Sequence, residues 1–305
     1  MTIQEYLKEI LKQQSLPGDS DEVKALRSER EKVEKLLRES FKESSIAIQY
    51  AGSYAKGTMI RDSYDLDIVC YFNHDDESAG KTLEEVFNKV KESLVSKYYV
   101  VPKKSALRLK SLEVNPQNLR IDFHIDVVPG RFTDDKKEDV FLYQSSGEKH
   151  RLKTNLQKHI DHIKESGSVS TIKLAKFWKK RIGLDSIKTF ILELLVIESL
   201  GKLRDTDGLD ECLKEFWEQL KDNIENLKIE DPANPTGNDL SELFDESTKT
   251  TLSTFATNAL NFVEKQNWEA IFGKVESMSN DEKVANVGAA ILLNPDRPKP
   301  WCDIT

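Results

Sequence analysis

Two hydrophobic periods run through this chain, and the switches between them organise it. Near the N-terminus, "DSDEVKALRSEREKVEKLLRESF" places Val23, Leu26, Val33, Leu36, Leu37 and Phe41 at helical spacing, with charged residues on the other face. An Asp or Ser at its start supplies an N-cap. The spacing predicts a long helix along the outside of a domain; it does not sustain the heptad repeat of a coiled coil. Period two follows. "SIAIQYAG" alternates, "YDLDIVCYF" is a second strand, and "LRLKSLEV" with "LRIDFHIDVVPG" predicts a hairpin turned by "NPQN". "TLEEVFNKVKESLVSKYY" between them is an amphipathic helix. After about residue 150 the strand signals stop. "KTNLQKHIDHIKES", "SVSTIKLAKFWKKRIG", "KTFILELLVIESLGK", "DECLKEFWEQLKDNIENL", "DLSELFDESTKTTLSTFATNALNFVEKQ" and "SNDEKVANVGAAILL" all predict helices, and the Pro-rich tail "NPDRPKPWCDIT" predicts irregular chain. The expected class is α+β: a mixed sheet with helices over residues 1–150 and a helical lobe over 151–305, with no long linker and no internal repeat.

Composition narrows the function classes. Of 305 residues 38% are hydrophobic and 32% charged, with only 13 Gly and 9 Pro, which describes an ordered, helix-rich globular chain. The most apolar run, "FILELLVIESLG", is interrupted by Glu193 and Glu198 and predicts a buried helix, not a membrane span. "MTIQEYLKEILKQQ" carries Glu5 and Glu9 and no apolar leader, so no targeting segment is expected. Cys70, Cys212 and Cys302 stand far apart without a CxxC, which argues against a disulfide framework or structural zinc and fits a reducing cytoplasm. A net charge of −8 argues against a protein that coats long nucleic acid.

One stretch conflicts with its surroundings. "AGSYAKGTMIRDSYDLDIVCYF" puts two carboxylates into a core-like strand, where a charge is costly unless a cation pairs with it. On a strand Asp65 and Asp67 point one way, Leu66 and Ile68 the other. In "LRIDFHIDVVPG" the same alternation assigns Phe123, Ile125 and Val127 to one face and Asp122, His124 and Asp126 to the other. If the strands are neighbours, a third carboxylate joins the pair. Three convergent carboxylates repel unless divalent cations lie between them, and Mg²⁺ accepts oxygen ligands while leaving positions for phosphate. Acidic-x-acidic triplets arise about nine times by chance in a chain this acidic, so Asp-Leu-Asp alone is weak. Its flanks strengthen it. Gly52 and Ser53 end a strand and can turn backbone N–H groups and a hydroxyl toward phosphate, and Gly57 relieves the next turn.

"GSYAKGT…DLD…IDVVP" resembles the DNA polymerase β-like nucleotidyltransferases, whose pattern is Gly-Ser, Asp-x-Asp, then a third Asp on a later strand. Within them it is most similar to the branch of 2′-5′-oligoadenylate synthetase, cyclic GMP–AMP synthase and the bacterial cyclic-oligonucleotide synthases of anti-phage defence (CBASS). The resemblance implies a bilobal nucleotidyltransferase fold. Asp65, Asp67 and Asp126 would be the catalytic, metal-holding triad, with two Mg²⁺ that Mn²⁺ could replace. It continues through "TIKLAKFWKK", where Lys176 would bind triphosphate, and "KTFILELL", where Thr189 would bind phosphate and Phe190 stack on the base. With Gly52 and Ser53 these form the implied nucleotide site. "DPANPTGND" is similar to a loop of the synthetase's helical lobe.

The resemblance implies NTP substrates (ATP among them), a cyclic di- or trinucleotide product, an activator and a downstream effector. A linear-product transferase and a catalytically silent nucleotide sensor are the alternatives. Asp122 is read as a supporting residue or plain surface, roughly 7 Å along the strand from Asp126. His159 and His162 are read as a solvated helix face, Lys179–Arg181 as either a nucleotide groove or a charged helix end, and Phe177 and Trp178 as core. The pattern departs from the family in four ways. There is no zinc-ribbon insertion, a net charge of −8 argues against the basic duplex-RNA surface of the oligoadenylate synthetases, Phe190 stands where Tyr is common, and "CDIT" lacks the terminal Gly that some bacterial relatives conjugate.

Overall fold

The computed structural model describes residues 1–275 apart from 116–118, 148–149, 228, 239 and 241–242. The helix expected over "SNDEKVANVGAAILL", the Pro-rich tail with Cys302 and most of the "NPQN" turn lie outside the described residues. Two helices open the chain. Helix α1 (Ile3–Gln14) begins in a capping box between Thr2 and Glu5, and α2 (Asp21–Ser40) is capped by Ser20, whose hydroxyl accepts from the Val23 N–H.

Seven strands follow: β1 (Ala47–Ala51), β2 (Leu66–Phe72), β3 (Tyr99–Pro102), β4 (Leu107–Val114), β5 (Arg120–Phe132), β6 (Val140–Tyr143) and β7 (Arg151–Thr154). They form one sheet in the order β1-β2-β5-β4-β3, with β6 on the far half of β5 and β7 on β6. Among the described residues only β2 and β5 pair in parallel; the other pairs are antiparallel. The four-residue strands β3, β6 and β7 were not expected, since so short a run carries too little alternation to register as a period; the helix predicted over "TLEEVFNKVKESLVSKYY" ends before Tyr99, where β3 begins. Helix α3 (Gly52–Lys56) is inserted between β1 and β2, and α4 (Leu83–Leu94), with a Thr82–Glu85 capping box, between β2 and β3.

Alternation sorts the sheet into two faces. Leu66, Ile68, Cys70 and Phe72 of β2 and Ile125 and Val127 of β5 pack with Leu26, Val33 and Leu37 of α2 and Val86, Phe87 and Val90 of α4. The opposite face carries Val69 and Tyr71, and Phe132, Val140 and Leu142 join them. The intervening positions Asp67, Asp126 and Arg108 therefore share that second face. One expectation fails here. Asp122, His124 and Asp126 do not form a regular stripe, because Leu109 stands opposite Ile125 while Lys110 stands opposite Asp122. Phe123 and His124 are extra residues in a bulge, His124 has φ +56°, and its N–H donates to Asp122 Oδ1 at 2.8 Å.

The rest is helical: α5 (Leu156–Glu165), α6 (Val169–Arg181), α7 (Thr189–Leu200), α8 (Leu209–Asp222), a 3₁₀ turn at Ile224–Asn226, α9 (Glu246–Glu264) and α10 (Trp268–Phe272). Helix α9 starts later than the hydrophobic pattern predicted because Asp245 caps it, accepting from the Thr248 N–H at 2.8 Å. Trp178, Phe216, Trp217 and Phe272 centre this core, with Trp178 and Trp217 rings 5.9 Å apart. Phe177 and Trp178 are core, as expected. Tyr6, Leu7 and Ile10 of α1 pack into the same cluster, so the first helix joins the helical core and not the sheet.

Candidate active site

Register builds the site. Ala51 pairs with Asp67, Asp67 with Asp126, and Asp126 with Arg108, one row running across four strands on one face. Adjacent strands lie about 4.8 Å apart, so Asp67 and Asp126 are immediate neighbours. Asp65 precedes β2 and reaches the row through Arg108, whose Nη1 donates to its Oδ1 at 2.9 Å. Gly52 follows Ala51 with φ +56°, and a Cβ there would lie 1.7 Å from Asp67 Oδ2. The carboxylate thus lies against bare backbone, and glycine is required both for the left-handed conformation and for the space.

The electrostatics are those of crowded anions. Desolvation, then the charges of Asp126 and Asp65, push the Asp67 carboxyl up to about 7. Asp67 is half-buried and keeps some solvent contact. Arg108, only 3% exposed, donates Nε to Asp126 Oδ1 and Nη2 to Asp126 Oδ2, both at 2.7 Å, and Nη1 also reaches Asp122 Oδ1 at 3.3 Å. Burial alone would weaken the guanidinium's hold on its proton; Asp65 and Asp126 more than offset it. Lys103 adds a second cation, donating to Asp126 Oδ2 at 2.8 Å. His124 Nδ1 lies 3.2 Å from Asp65 Oδ1.

A second polar cluster joins sheet and helices. Glu193 of α7, fully buried, accepts from Lys56 of α3, from Thr58 Oγ1 at 2.6 Å and from Lys176 Nζ at 3.2 Å. Lys176 Nζ also donates to the Thr58 carbonyl at 2.9 Å. Burial pushes the Lys176 ammonium down, and Glu193 only partly restores it because Lys56 competes for the same carboxylate. Burial would raise Glu193, but the Lys56 and Lys176 charges overcome it and hold the carboxyl at about 2. Thr189 and Phe190 open α7 beside this cluster, both half-buried, with Lys56 Nζ 5.7 Å from the Phe190 ring centroid.

The structure therefore brings Gly52, Asp65, Asp67 and Asp126 into one cluster, and Lys176 and Phe190 into an adjoining one. It also adds Arg108, Lys103, Lys56, Thr58 and Glu193, which were not singled out. Arg108 had a signal: it sits between Leu107 and Leu109 on a strand, so it had to share the carboxylate face once β4 paired with β5. Asp122 lies within reach of Arg108 and is no plain surface residue. The solvated reading holds for exposed His162 but fails for His159. The His159 Nε2 lies 3.1 Å from Thr154 Oγ1 and 3.4 Å from Asp231, and its ring meets Phe190 edge-on at 5.2 Å. Lys179 is also drawn in, pushed down to about 8 by burial, while Lys180 stays exposed and Arg181 Nε donates to the Ile271 carbonyl.

Three carboxylates offer hard oxygen donors, and the charges of Asp126 and Asp65, which add to burial in lifting Asp67, are what a divalent cation would relieve, so the residues fit Mg²⁺. No three His, Cys, Asp or Glu side chains among the described residues already converge on a common point. Arg108 lies among them, and the donors would turn from it to a metal.

A mixed sheet with paired aspartates beside the Gly-Ser start of α3, backed by helices, is the arrangement of a nucleotidyltransferase. Residues 1–166 match the Second Messenger Oligonucleotide or Dinucleotide Synthetase (SMODS) domain, more than half the chain, and the chain belongs to that family of cyclic-oligonucleotide synthases. No curated protein sequence matches it significantly. Solved structures share the fold. E. coli MS115-1 CdnC, in complex with HORMA-deltaN, is 19% identical over 90% of this chain and 98% of that one, with TM-score 0.66. Bradyrhizobium diazoefficiens CdnG, a CD-NTase in complex with GTP, is 15% identical over 96% and 99%, with TM-score 0.64. Vibrio cholerae DncV, a cyclic AMP-GMP synthase, is 16% identical over 92% and 88%, with TM-score 0.58. No helix of the described residues is long and apolar enough to cross a membrane.

Proposed function

We propose that this protein joins NTPs, ATP among them, into a cyclic di- or trinucleotide second messenger in bacterial anti-phage signalling, in a Mg²⁺-dependent reaction. The observation that carries this reading is the in-register row of Asp67 and Asp126, with Asp65 one side chain away and Gly52 beneath. Asp65, Asp67 and Asp126 would hold the metal ions, which would supply the positive charge needed to acidify an acceptor ribose hydroxyl and to offset the charge of the leaving pyrophosphate.

The chain's own residues do the positioning. Ser53 and Thr189 present hydroxyls to the donor triphosphate. Lys176 lies against Thr58, five residues past Ser53, and supplies positive charge from the helical side. Phe190 stacks on the base, with the His159 ring packed against it at a centroid distance of 5.2 Å in a T-shaped contact. A product released from one position turns in the pocket and serves as substrate for closure. The ligands of neighbouring structures agree with triphosphate substrates: CdnC was solved with ATP and CdnG with GTP. An activator and an effector that senses the product complete the reading, which places the enzyme in the cytoplasm.

The test is incubation with all four NTPs and Mg²⁺ or Mn²⁺, then phosphatase and mass analysis. Phosphatase-resistant cyclic nucleotides, lost in Asp67→Ala, are expected. Only linear products would make it a linear-product transferase; tight triphosphate binding without turnover under any metal would make it a sensor.

A further inference from the structure

The centre of the carboxylate cluster holds a side chain, and that side chain is a cation. Arg108 is almost wholly buried, and four of its bonds end on carboxylates: two on Asp126 and one each on Asp65 and Asp122. A guanidinium has five N–H donors in a rigid fork, and the fork here matches the Asp126 carboxylate oxygen for oxygen. Sheet formation alone does not ask for this. Leu107 and Leu109 on either side fill the core face, and a neutral residue at position 108 would pair with β5 equally well.

The charge balance is informative. Asp65, Asp67, Asp122 and Asp126 face Arg108 and Lys103, so counting these six groups alone, all ionised, two formal negative charges remain. The fork takes both oxygens of Asp126 and one of Asp65, which are oxygens a metal would need. Asp67, the carboxylate against Gly52, has no share in it.

We infer that Arg108 is a resident counter-cation that stands in for a divalent metal. It keeps the carboxylates assembled in the nucleotide-free enzyme and competes with metal for Asp126 and Asp65. The inference rests on the reading of Asp65, Asp67 and Asp126 as the metal-holding residues. Arg108 acts through those carboxylates and is a positioning residue. Free enzyme then binds divalent cations weakly. A triphosphate, which brings its own negative charge and phosphate oxygens, shifts the competition toward the metal, so metal and nucleotide load together.

The first experiment titrates nucleotide-free protein with Mn²⁺ and follows the free-ion signal by electron paramagnetic resonance, so no turnover enters. Arg108→Gln, shown folded by circular dichroism, is expected to bind Mn²⁺ at least tenfold more tightly than wild type, and Arg108→Lys, which keeps the charge, within about threefold of it. Equal or weaker binding by folded Arg108→Gln overturns the inference. Adding Asp67→Asn to Arg108→Gln should remove the gained affinity; if it does not, the gained metal sits elsewhere and the reading of the triad itself falls. If instead Arg108→Gln gains nothing but Asp67→Asn abolishes Mn²⁺ binding with nucleotide in the wild-type background, the triad stands and only Arg108's part is refuted. Should Arg108→Gln fail to fold, the wild type decides. Its Arg108 Nε–H resonance, identified by its loss in Arg108→Lys, should be protected in apo enzyme and shift on adding Mg²⁺ with a non-hydrolysable triphosphate. A resonance that does not move refutes the competition.

Discussion

Replacing Glu193 by Gln would separate the interlobe cluster from everything else that titrates. Glu193 is wholly buried, so no solvent discount applies, and its two ammonium partners come from opposite sides of the site, Lys56 from α3 and Lys176 from α6. Its carboxyl falls from an ordinary 4.5 to about 2 on folding. A depressed folded value means that the stabilisation is fully present above 4.5 and disappears as pH falls toward 2. Two and a half pH units correspond to about 3 kcal/mol, of which about 2 kcal/mol is gone by pH 3. At pH 7 the Gln variant leaves two buried ammonium groups without their anion, a loss of roughly 3–5 kcal/mol. Urea unfolding followed by circular dichroism at pH 3, 4, 5 and 7 measures both quantities. Other carboxylates titrate alike in the two proteins, so the readout is their difference. That difference should be several kcal/mol at pH 7 and narrow by about 2 kcal/mol at pH 3. A gap that stays constant across this window, or one below about 1 kcal/mol at pH 7, would refute the reasoning, since either means that the lysines do not depend on this carboxylate.

Two further expectations follow from the geometry. Gly52→Ala drives a methyl into the Asp67 carboxylate at 1.7 Å and imposes φ +56° on an L-residue; kcat/KM should fall at least about 100-fold while the melting midpoint drops by only a few degrees, and activity within about threefold of wild type would contradict the packing argument. Phe190→Ala should raise the nucleotide Kd by roughly 5- to 100-fold in a binding titration, with Phe190→Tyr close to wild type, because a stacked base is worth about 1–3 kcal/mol; equal losses in both variants would mean that the ring acts by packing on His159.

Local signals carried much of this molecule. Thr2 with Glu5, Ser20, and Thr82 with Glu85 mark helix starts because capping is decided within one turn. The alternation around Asp67 and Asp126 shows which face each occupies. Other features were hidden for a common reason. The bulge at His124 exists only where β4 meets β5, so alternation in β5 alone put Asp122, His124 and Asp126 on one stripe. His159 looked solvated because its helix face is polar; it is covered by the distant Asp231 and by Phe190. Glu193 registered only as an interruption in an apolar run, since its partners lie 137 and 17 residues away.

The sequence by itself determined most of the longer elements, the sorting of apolar from acidic positions, and the chemistry on offer: three carboxylates beside a Gly-Ser pair. These follow from period, propensity and side-chain type, which act over a few residues. Only the tertiary structure decided that Asp67 and Asp126 stand side by side, that Gly52 gives Asp67 its room, and that Arg108 fills the space between the carboxylates. A charge acts on whatever lies within a few ångströms, and strand register, not distance along the chain, sets which charges those are.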